Sequence, residues 1–224
     1  MDQKDLTPRA LAARIDHTLL DLSASPAAIE KLCREALEHG FKAVCVYPVH
    51  VARAAKLLAG SPVLVAAVVG FPTGLEPTSE KVSQALAAVG AGARELDMVV
   101  NLAALRGRDH AAVARDIGAV VAAAAPFAVK VILETAALSR DEKIIGAALA
   151  KAAGAAFVKT STGFGPGGAT VGDVELLRAV VGPDVSVKAS GGIRTFEDAR
   201  AMLEAGADRL GCSSSLAILS GAAS

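Results

Sequence analysis

Short apolar runs alternate with helix-like segments along the whole chain. The runs cover residues 15–20, 41–47, 63–70, 95–101, 128–134, 155–160, 185–190 and 209–212, and they begin 22 to 33 residues apart. That spacing holds one strand, one helix and two loops. The intervening segments carry helix signals. Ser25 and Pro26 open the first as N-cap and first helical residue; Ile29, Leu32, Cys33, Ala36 and Leu37 form one apolar face, and Gly40 closes it. Ser139 and Glu142 form a capping box ahead of Ile144, Ile145, Ala148 and Leu149. Thr195 caps a segment with Phe196, Ala199, Met202 and Leu203 that ends at Gly206.

Eight such units without a long polar linker predict an α/β fold, a closed parallel (β/α)8 barrel forming a single domain over residues 1–224. An open doubly wound sheet has the same periodicity. The charged positions separate the two. In a barrel both faces of each strand are buried, so a charge in mid-strand is costly unless it serves a polar site at the barrel mouth. Alternation places Asp97, Val99 and Asn101 on one face of the fourth strand, and Lys130, Ile132 and Glu134 on one face of the fifth. Phe157, Lys159 and Ser161 share a face of the sixth, and Ser186, Lys188 and Ser190 a face of the seventh. The opposite faces, such as Leu96, Met98 and Val100, are apolar. Four consecutive strands therefore send ionisable groups into one interior, toward the strand ends where barrel enzymes work.

A single strand lysine is ordinarily an edge residue reaching for water. Lys130, Lys159 and Lys188 together with Asp97 instead describe a reactive site. An amine attacks a carbonyl only when neutral, and free lysine titrates at about 10.4, so reaching neutrality means disfavouring the cation by about 4–5 kcal/mol. Desolvation and a second lysine nearby do this, and Lys159 and Lys188 on adjacent strands supply that arrangement.

Several weaker motifs also have plain structural readings. Gly163, Gly165 and Gly168 match GxGxxG, but the motif sits in the sixth unit, contains Pro166, and Lys188 stands where a dinucleotide site needs an acid, so a mouth loop is the better reading. Gly191 and Gly192 follow the seventh strand, and Ser213, Ser214 and Ser215 follow the eighth, the two loops where barrels hold phosphate. The histidines, His17, His39, His50 and His110, form no metal-binding pair, and His17 reads as structural. Cys45 points inward or fills the core, with core as the default; an inward thiol beside cationic lysines would carry thiolate character.

Composition narrows the partners. The chain is 53% hydrophobic and 21% charged with zero formal net charge, which excludes a disordered chain and leaves no electrostatic footprint for nucleic acid. No basic amphipathic helix suggests a membrane surface, and the greasy stretch 117–133 is broken by Pro126 and Lys130. Cys33, Cys45 and Cys212 are odd in number and widely spaced, which speaks for reduced thiols. The polar opening Met1–Asp5 is unlike a signal peptide, and a cytoplasmic protein with a small-molecule partner is expected.

At these residues the sequence resembles the deoxyribose-phosphate aldolases, a class I aldolase family, over nearly its whole length. The stretches that carry the resemblance are Ile15-Asp16-His17-Thr18-Leu19, Ala43-Val44-Cys45-Val46-Tyr47-Pro48, Gly70-Phe71-Pro72 and Glu95-Leu96-Asp97-Met98-Val99-Val100-Asn101. They continue with Lys130-Val131-Ile132-Leu133-Glu134-Thr135, Phe157-Val158-Lys159-Thr160-Ser161-Thr162-Gly163-Phe164 and Lys188-Ala189-Ser190-Gly191-Gly192-Ile193-Arg194. The resemblance implies a TIM barrel that needs no metal or organic cofactor. It implies reversible cleavage of 2-deoxy-D-ribose 5-phosphate to D-glyceraldehyde 3-phosphate and acetaldehyde, in deoxyribonucleotide catabolism. Lys159 would form the Schiff base, and Lys188 would lower its pKa and share proton transfer with Asp97. Thr18 and Thr162 would line the pocket, and Gly163, Gly191, Gly192, Ser213 and Ser214 would surround the phosphate. Some members carry a lysine where this chain has Phe164. The resemblance is compatible with a homodimer or homotetramer. A phosphate-binding isomerase and a catalytically silent sugar-phosphate binder are the alternatives from other classes, and neither explains the paired lysines as well.

Overall fold

A computed structural model of the chain describes residues 6–222; the polar opening at 1–5 lies outside the described residues, as do 223–224. The strands are β1 (Ile15–Leu19), β2 (Ala43–Val46), β3 (Leu64–Val69), β4 (Glu95–Val99), β5 (Ala128–Ile132), β6 (Phe157–Lys159), β7 (Ser186–Ser190) and β8 (Arg209–Cys212). All pair in parallel in sequence order, and β1 pairs with β8, with Asp16 opposite Gly211, to close the ring. Closure decides against the open sheet. The fold is a (β/α)8 barrel.

The helices are α1 (Pro8–Ala12), α2 (Pro26–His39), α3 (Val51–Leu57), α4 (Thr78–Gly90), α5 (Leu102–Arg106), α6 (His110–Ala124), α7 (Arg140–Ala152), α8 (Val171–Val181), α9 (Phe196–Glu204) and α10 (Ser215–Ala222). The predicted caps are present. The Ser25 hydroxyl accepts the Ala28 N–H, and Gly40 ends α2 in the left-handed region (φ 69°), which favours glycine. Ser139 with Glu142 and Thr195 with Asp198 form reciprocal capping boxes. The greasy stretch at 117–133 is split between α6 and β5, and among the described residues no helix is long and apolar enough to cross a membrane.

The two faces of the strands have opposite chemistry. Outward side chains such as Val44, Val46, Leu96, Met98, Val131, Val158, Val187 and Leu210 merge with the helices' apolar faces into one core. Inside the barrel, β2 and β3 contribute a small apolar patch of Cys45, Ala66 and Val68, while the other strands contribute charges. The small side chains of Cys45 and Ala66 leave volume that long lysines then fill, as interior packing to constant density requires. Burial of the outer faces against helices supplies the stability that lets the interior hold a charged cluster.

Candidate active site

Strand register sets the geometry. Asp97 lies opposite Lys130, Ile132 opposite Lys159, Lys159 opposite Lys188, and Lys188 opposite Arg209. The alternation predicted from sequence therefore converges, and the four side chains meet. Asp97 is fully buried and takes three ammonium groups: Lys130 Nζ on Oδ1 at 2.8 Å, and Lys159 Nζ and Lys188 Nζ together on Oδ2 at 2.8 and 2.7 Å.

The cluster extends past the four predicted strands. Asp16 on β1 contacts Lys188 at 2.5 Å, Lys130 at 3.4 Å and Arg209 of β8 at 2.7 Å. Glu95 contacts Lys130 at 2.6 Å and Arg209 at 3.1 Å. The sequence reading passed over Asp16, Glu95 and Arg209, although the same argument about charges within strands applies to each. Asp16 and Arg209 lie on β1 and β8, outside those four strands, and Glu95 shares the face of Asp97 on β4.

The number of carboxylates touching each amine sorts the three lysines. Lys130 touches Asp16, Glu95 and Asp97; burial alone would push its pKa down, but these carboxylates outweigh it and hold it well above the ordinary lysine range. Lys188 touches Asp16 and Asp97, and those carboxylates likewise overcome burial and raise it. Lys159 touches Asp97 alone. Burial lowers its pKa, the neighbouring Lys188 cation adds to that, and Asp97 only partly offsets them. For Asp97 itself burial acts upward, but the ammonium groups of Lys130, Lys159 and Lys188 hold it well below the usual carboxylate range. Three carboxylates face three lysines and one arginine, so the buried cluster carries one cation too many. A neutral Lys159 removes the excess.

Of these three lysines, Lys159 is the one that lines the cleft at the C-terminal strand ends. That cleft, of about 380 Å³, is lined by Lys159 with Thr18, Thr162, Gly163, Gly191, Gly192 and Ser213. Ser214 does not line it; it stands one residue on, and its carbonyl accepts the Ile218 N–H in α10. Arg194 does line it and was missed by sequence, although it ends the quoted Gly-Gly-Ile-Arg stretch. It supplies a positive charge that Phe164 does not. A larger open groove of about 900 Å³ lies near the N-terminal ends of β1–β3, beside Leu37, Phe41 and Leu216, but it contains none of the interior charges. Size does not select the site here; chemistry does.

Two inward assignments are corrected. Asn101 is not part of the interior cluster: it caps α5, accepting the Ala104 N–H at 2.9 Å. Glu134 is separated from Lys130, because β5 ends at Ile132 and Glu134 turns into the left-handed region with its carboxylate on Thr162. His17 is structural as expected, with Nδ1 at 2.9 Å from Ser215 Oγ and Nε2 at 2.9 Å from Glu35. Cys45 does point inward, but burial pushes its thiol up to about 11, and the nearby lysines do not overcome this. The thiolate character expected from its neighbours is overturned.

Phe164, which lines the cavity beside Gly163, begins a row of three aromatic rings. Phe164 meets Phe71 edge to face at 5.4 Å between ring centroids, and Phe71 meets Tyr47 in the same way at 5.9 Å. The mouth thus presents the Phe164 ring as well as the glycine turns and Arg194.

A barrel whose mouth presents one neutralisable lysine, backed by a carboxylate and a second lysine, has the equipment of an enzyme that forms an imine with a carbonyl substrate. The model of the DeoC/LacD family aldolases matches residues 10–221, and the chain belongs to that family. It is 52% identical over 212 residues to the deoxyribose-phosphate aldolase of Clostridium perfringens, covering 94% of this chain and 95% of that one. It is 54% identical over 216 residues to the deoxyribose-phosphate aldolase of Thermococcus gammatolerans, covering 95% and 96%. The deoxyribose phosphate aldolase structure from Aeropyrum pernix, described as tetrameric, superimposes with a TM-score of 0.91 at 36% identity, covering 97% of this chain and 93% of that one.

Proposed function

We propose that the chain is a class I aldolase that reversibly cleaves 2-deoxy-D-ribose 5-phosphate to D-glyceraldehyde 3-phosphate and acetaldehyde, with Lys159 as the imine-forming residue. The observation that carries the reading is that Lys159, alone of the three interior lysines, both reaches the cavity and has its pKa lowered. Family membership and the names of relatives at about half identity supply the substrate.

Neutral Lys159 adds to the C1 aldehyde, and loss of water gives a protonated imine. This electron sink lets the C2–C3 bond break as the C3 hydroxyl loses its proton to the site's proton relay. Glyceraldehyde 3-phosphate leaves, the remaining enamine is protonated at carbon, and water releases acetaldehyde and regenerates the amine. Asp97 and Lys188 are the relay's protein members; Asp97 contacts both amines through one oxygen, so a proton shift on either is felt by the other. No step requires a metal or organic cofactor.

The phosphate end fits the opposite wall, against Gly163, Gly191, Gly192 and Ser213, with Ser214 behind them and Arg194 as the charge partner. Thr18, whose hydroxyl donates to the Asp16 carbonyl at 3.0 Å, lines the same cavity as the lysine. The same reading extends to a homo-oligomer acting in the cytoplasm.

The decisive experiment is borohydride reduction in the presence of acetaldehyde, followed by peptide mass spectrometry. An adduct on the Lys159 peptide is expected, and an adduct confined to Lys130 or Lys188 would overturn the assignment. An isomerase or a silent binder gives no adduct at all. Replacing Arg194 with alanine is expected to raise KM for the phosphorylated sugar about tenfold, the scale of one charge-assisted contact. KM for unphosphorylated 2-deoxyribose should change much less; equal changes for both sugars would move the phosphate elsewhere.

A further inference from the structure

Glu134 occupies an expensive position that the mechanism above does not use. Its backbone is left-handed (φ 55°), which among the described non-glycine residues is shared only with Arg108. Its side chain is buried, with Oε2 accepting the Thr162 N–H at 3.1 Å and also the Thr162 hydroxyl. That hydroxyl in turn accepts the Phe164 N–H at 3.0 Å. The other carboxylate oxygen, Oε1, is buried without a hydrogen-bond partner. Backbone strain and an unsatisfied buried acceptor persist only where the surroundings over-determine them, and such residues gather at functional sites.

The neighbouring glycines show what is being held. A Cβ on Gly165 would stand 2.6 Å from Glu134 Cδ and 2.7 Å from Oε1. Gly165 is not among the left-handed glycines, so its own backbone does not demand glycine; the carboxylate lying against it does. On the other flank a Cβ on Gly168 would meet the Gly191 carbonyl at 2.2 Å, and the Ala169 N–H donates to the carbonyls of Ser190 and Gly191. The glycines at 165 and 168 that matched a dinucleotide motif thus serve close packing. Loop 162–168 is clamped between Glu134 and the turn at Gly191, and its cavity face presents Thr162, Gly163 and Phe164.

We propose that Glu134 is a positioning residue that sets the affinity for the phosphorylated end of the substrate, by fixing loop 162–168 against the cavity through Thr162 and Gly165. The proposal rests on the reading above that the phosphate lies against Gly163, Gly191 and Gly192. Because Thr162 spends its amide and hydroxyl on Glu134, the loop's remaining donors are held at fixed positions, and preorganised donors bind an anion at lower entropic cost.

The test compares kcat and KM for 2-deoxyribose 5-phosphate and for 2-deoxyribose in the wild type, Glu134→Asp, Gly165→Ala, Glu134→Ala and the double variant Glu134→Ala/Gly165→Ala. Aspartate tolerates the left-handed region better than glutamate, but its carboxylate falls one methylene short of Thr162. Glu134→Asp should therefore keep thermal stability while the ratio of kcat/KM for the two sugars falls about tenfold, mainly through KM for the phosphorylated one. Gly165→Ala should do the same by displacing the carboxylate. In the Glu134→Ala background the added Gly165→Ala change should cost little more, because its obstacle is gone. A parallel loss for both sugars overturns the proposal, as does an undiminished effect of Gly165→Ala in that background. Should Glu134→Ala fail to fold, the Glu134→Asp ratio decides alone, and an unchanged ratio overturns the proposal. A wild type that favours neither sugar overturns the phosphate reading, and the proposal with it. A wild-type preference that survives both Glu134→Asp and Gly165→Ala overturns the proposal only.

Discussion

Replacing Lys159 with methionine is expected to abolish both turnover and the borohydride-trapped adduct, with loss of about a millionfold in rate, the low end of what enzymes contribute. The size follows from the mechanism: without the amine no imine forms, and no other group in the cavity can act as the electron sink. The fold should survive. Lys159 touches a single carboxylate, and Asp97 keeps Lys130 and Lys188 as partners when it is removed. The excess cation of the interior cluster also disappears, so the substitution should raise thermal stability or leave it level. The check is turnover of the sugar phosphate alongside a melting curve. A variant that retains a hundredth of wild-type turnover would show that another residue forms the imine.

Lys188→Leu and Asp97→Asn should move the pH profile in opposite directions, and both should cut turnover by about 10²–10⁴, the range for loss of positioned acid–base groups. The sign of each shift comes from what surrounds Lys159. Its pKa is lowered by burial and by Lys188, and raised by Asp97. Removing the Lys188 cation therefore lets the Lys159 pKa climb, so the rising limb of kcat/KM, where the amine becomes neutral, moves to higher pH. Removing the Asp97 charge takes away the attraction that favours the ammonium form, so the limb moves to lower pH even as the rate falls. Asp97→Asn should also destabilise the barrel by about 3–5 kcal/mol, because the buried Lys130 and Lys188 ammonium groups each lose a charged partner. Limbs that shift in the same direction would show that the two residues do not act on Lys159 through their charges.

How far the sequence determined this protein can be read from particular residues. Alternation has a period of two, a local property, so the inward facing of Asp97, Lys130, Lys159 and Lys188 was legible without any structure. The same is true of the caps at Ser25, Ser139 and Thr195, which bond to amides three residues away. Barrel closure was legible less directly, through the cost of placing charges in buried strands. Quantities that depend on several strands at once were not. Which lysine becomes neutral depends on how many carboxylates touch each amine, and that number is set by the register of β1, β4, β5, β6 and β7 together. Asn101 and Glu134 defeated the alternation argument because their strands stop before them, and chain ends obey capping and turn rules instead. For Cys45 neighbouring charge was legible and depth was not: proximity to lysines favours a thiolate, and full burial favours the thiol more strongly. Arg194 and the clamp of Glu134 on Gly165 bring together parts of loops from different units, whose approach no local pattern encodes. Local periodicity chose the faces, and tertiary register and burial chose the chemistry.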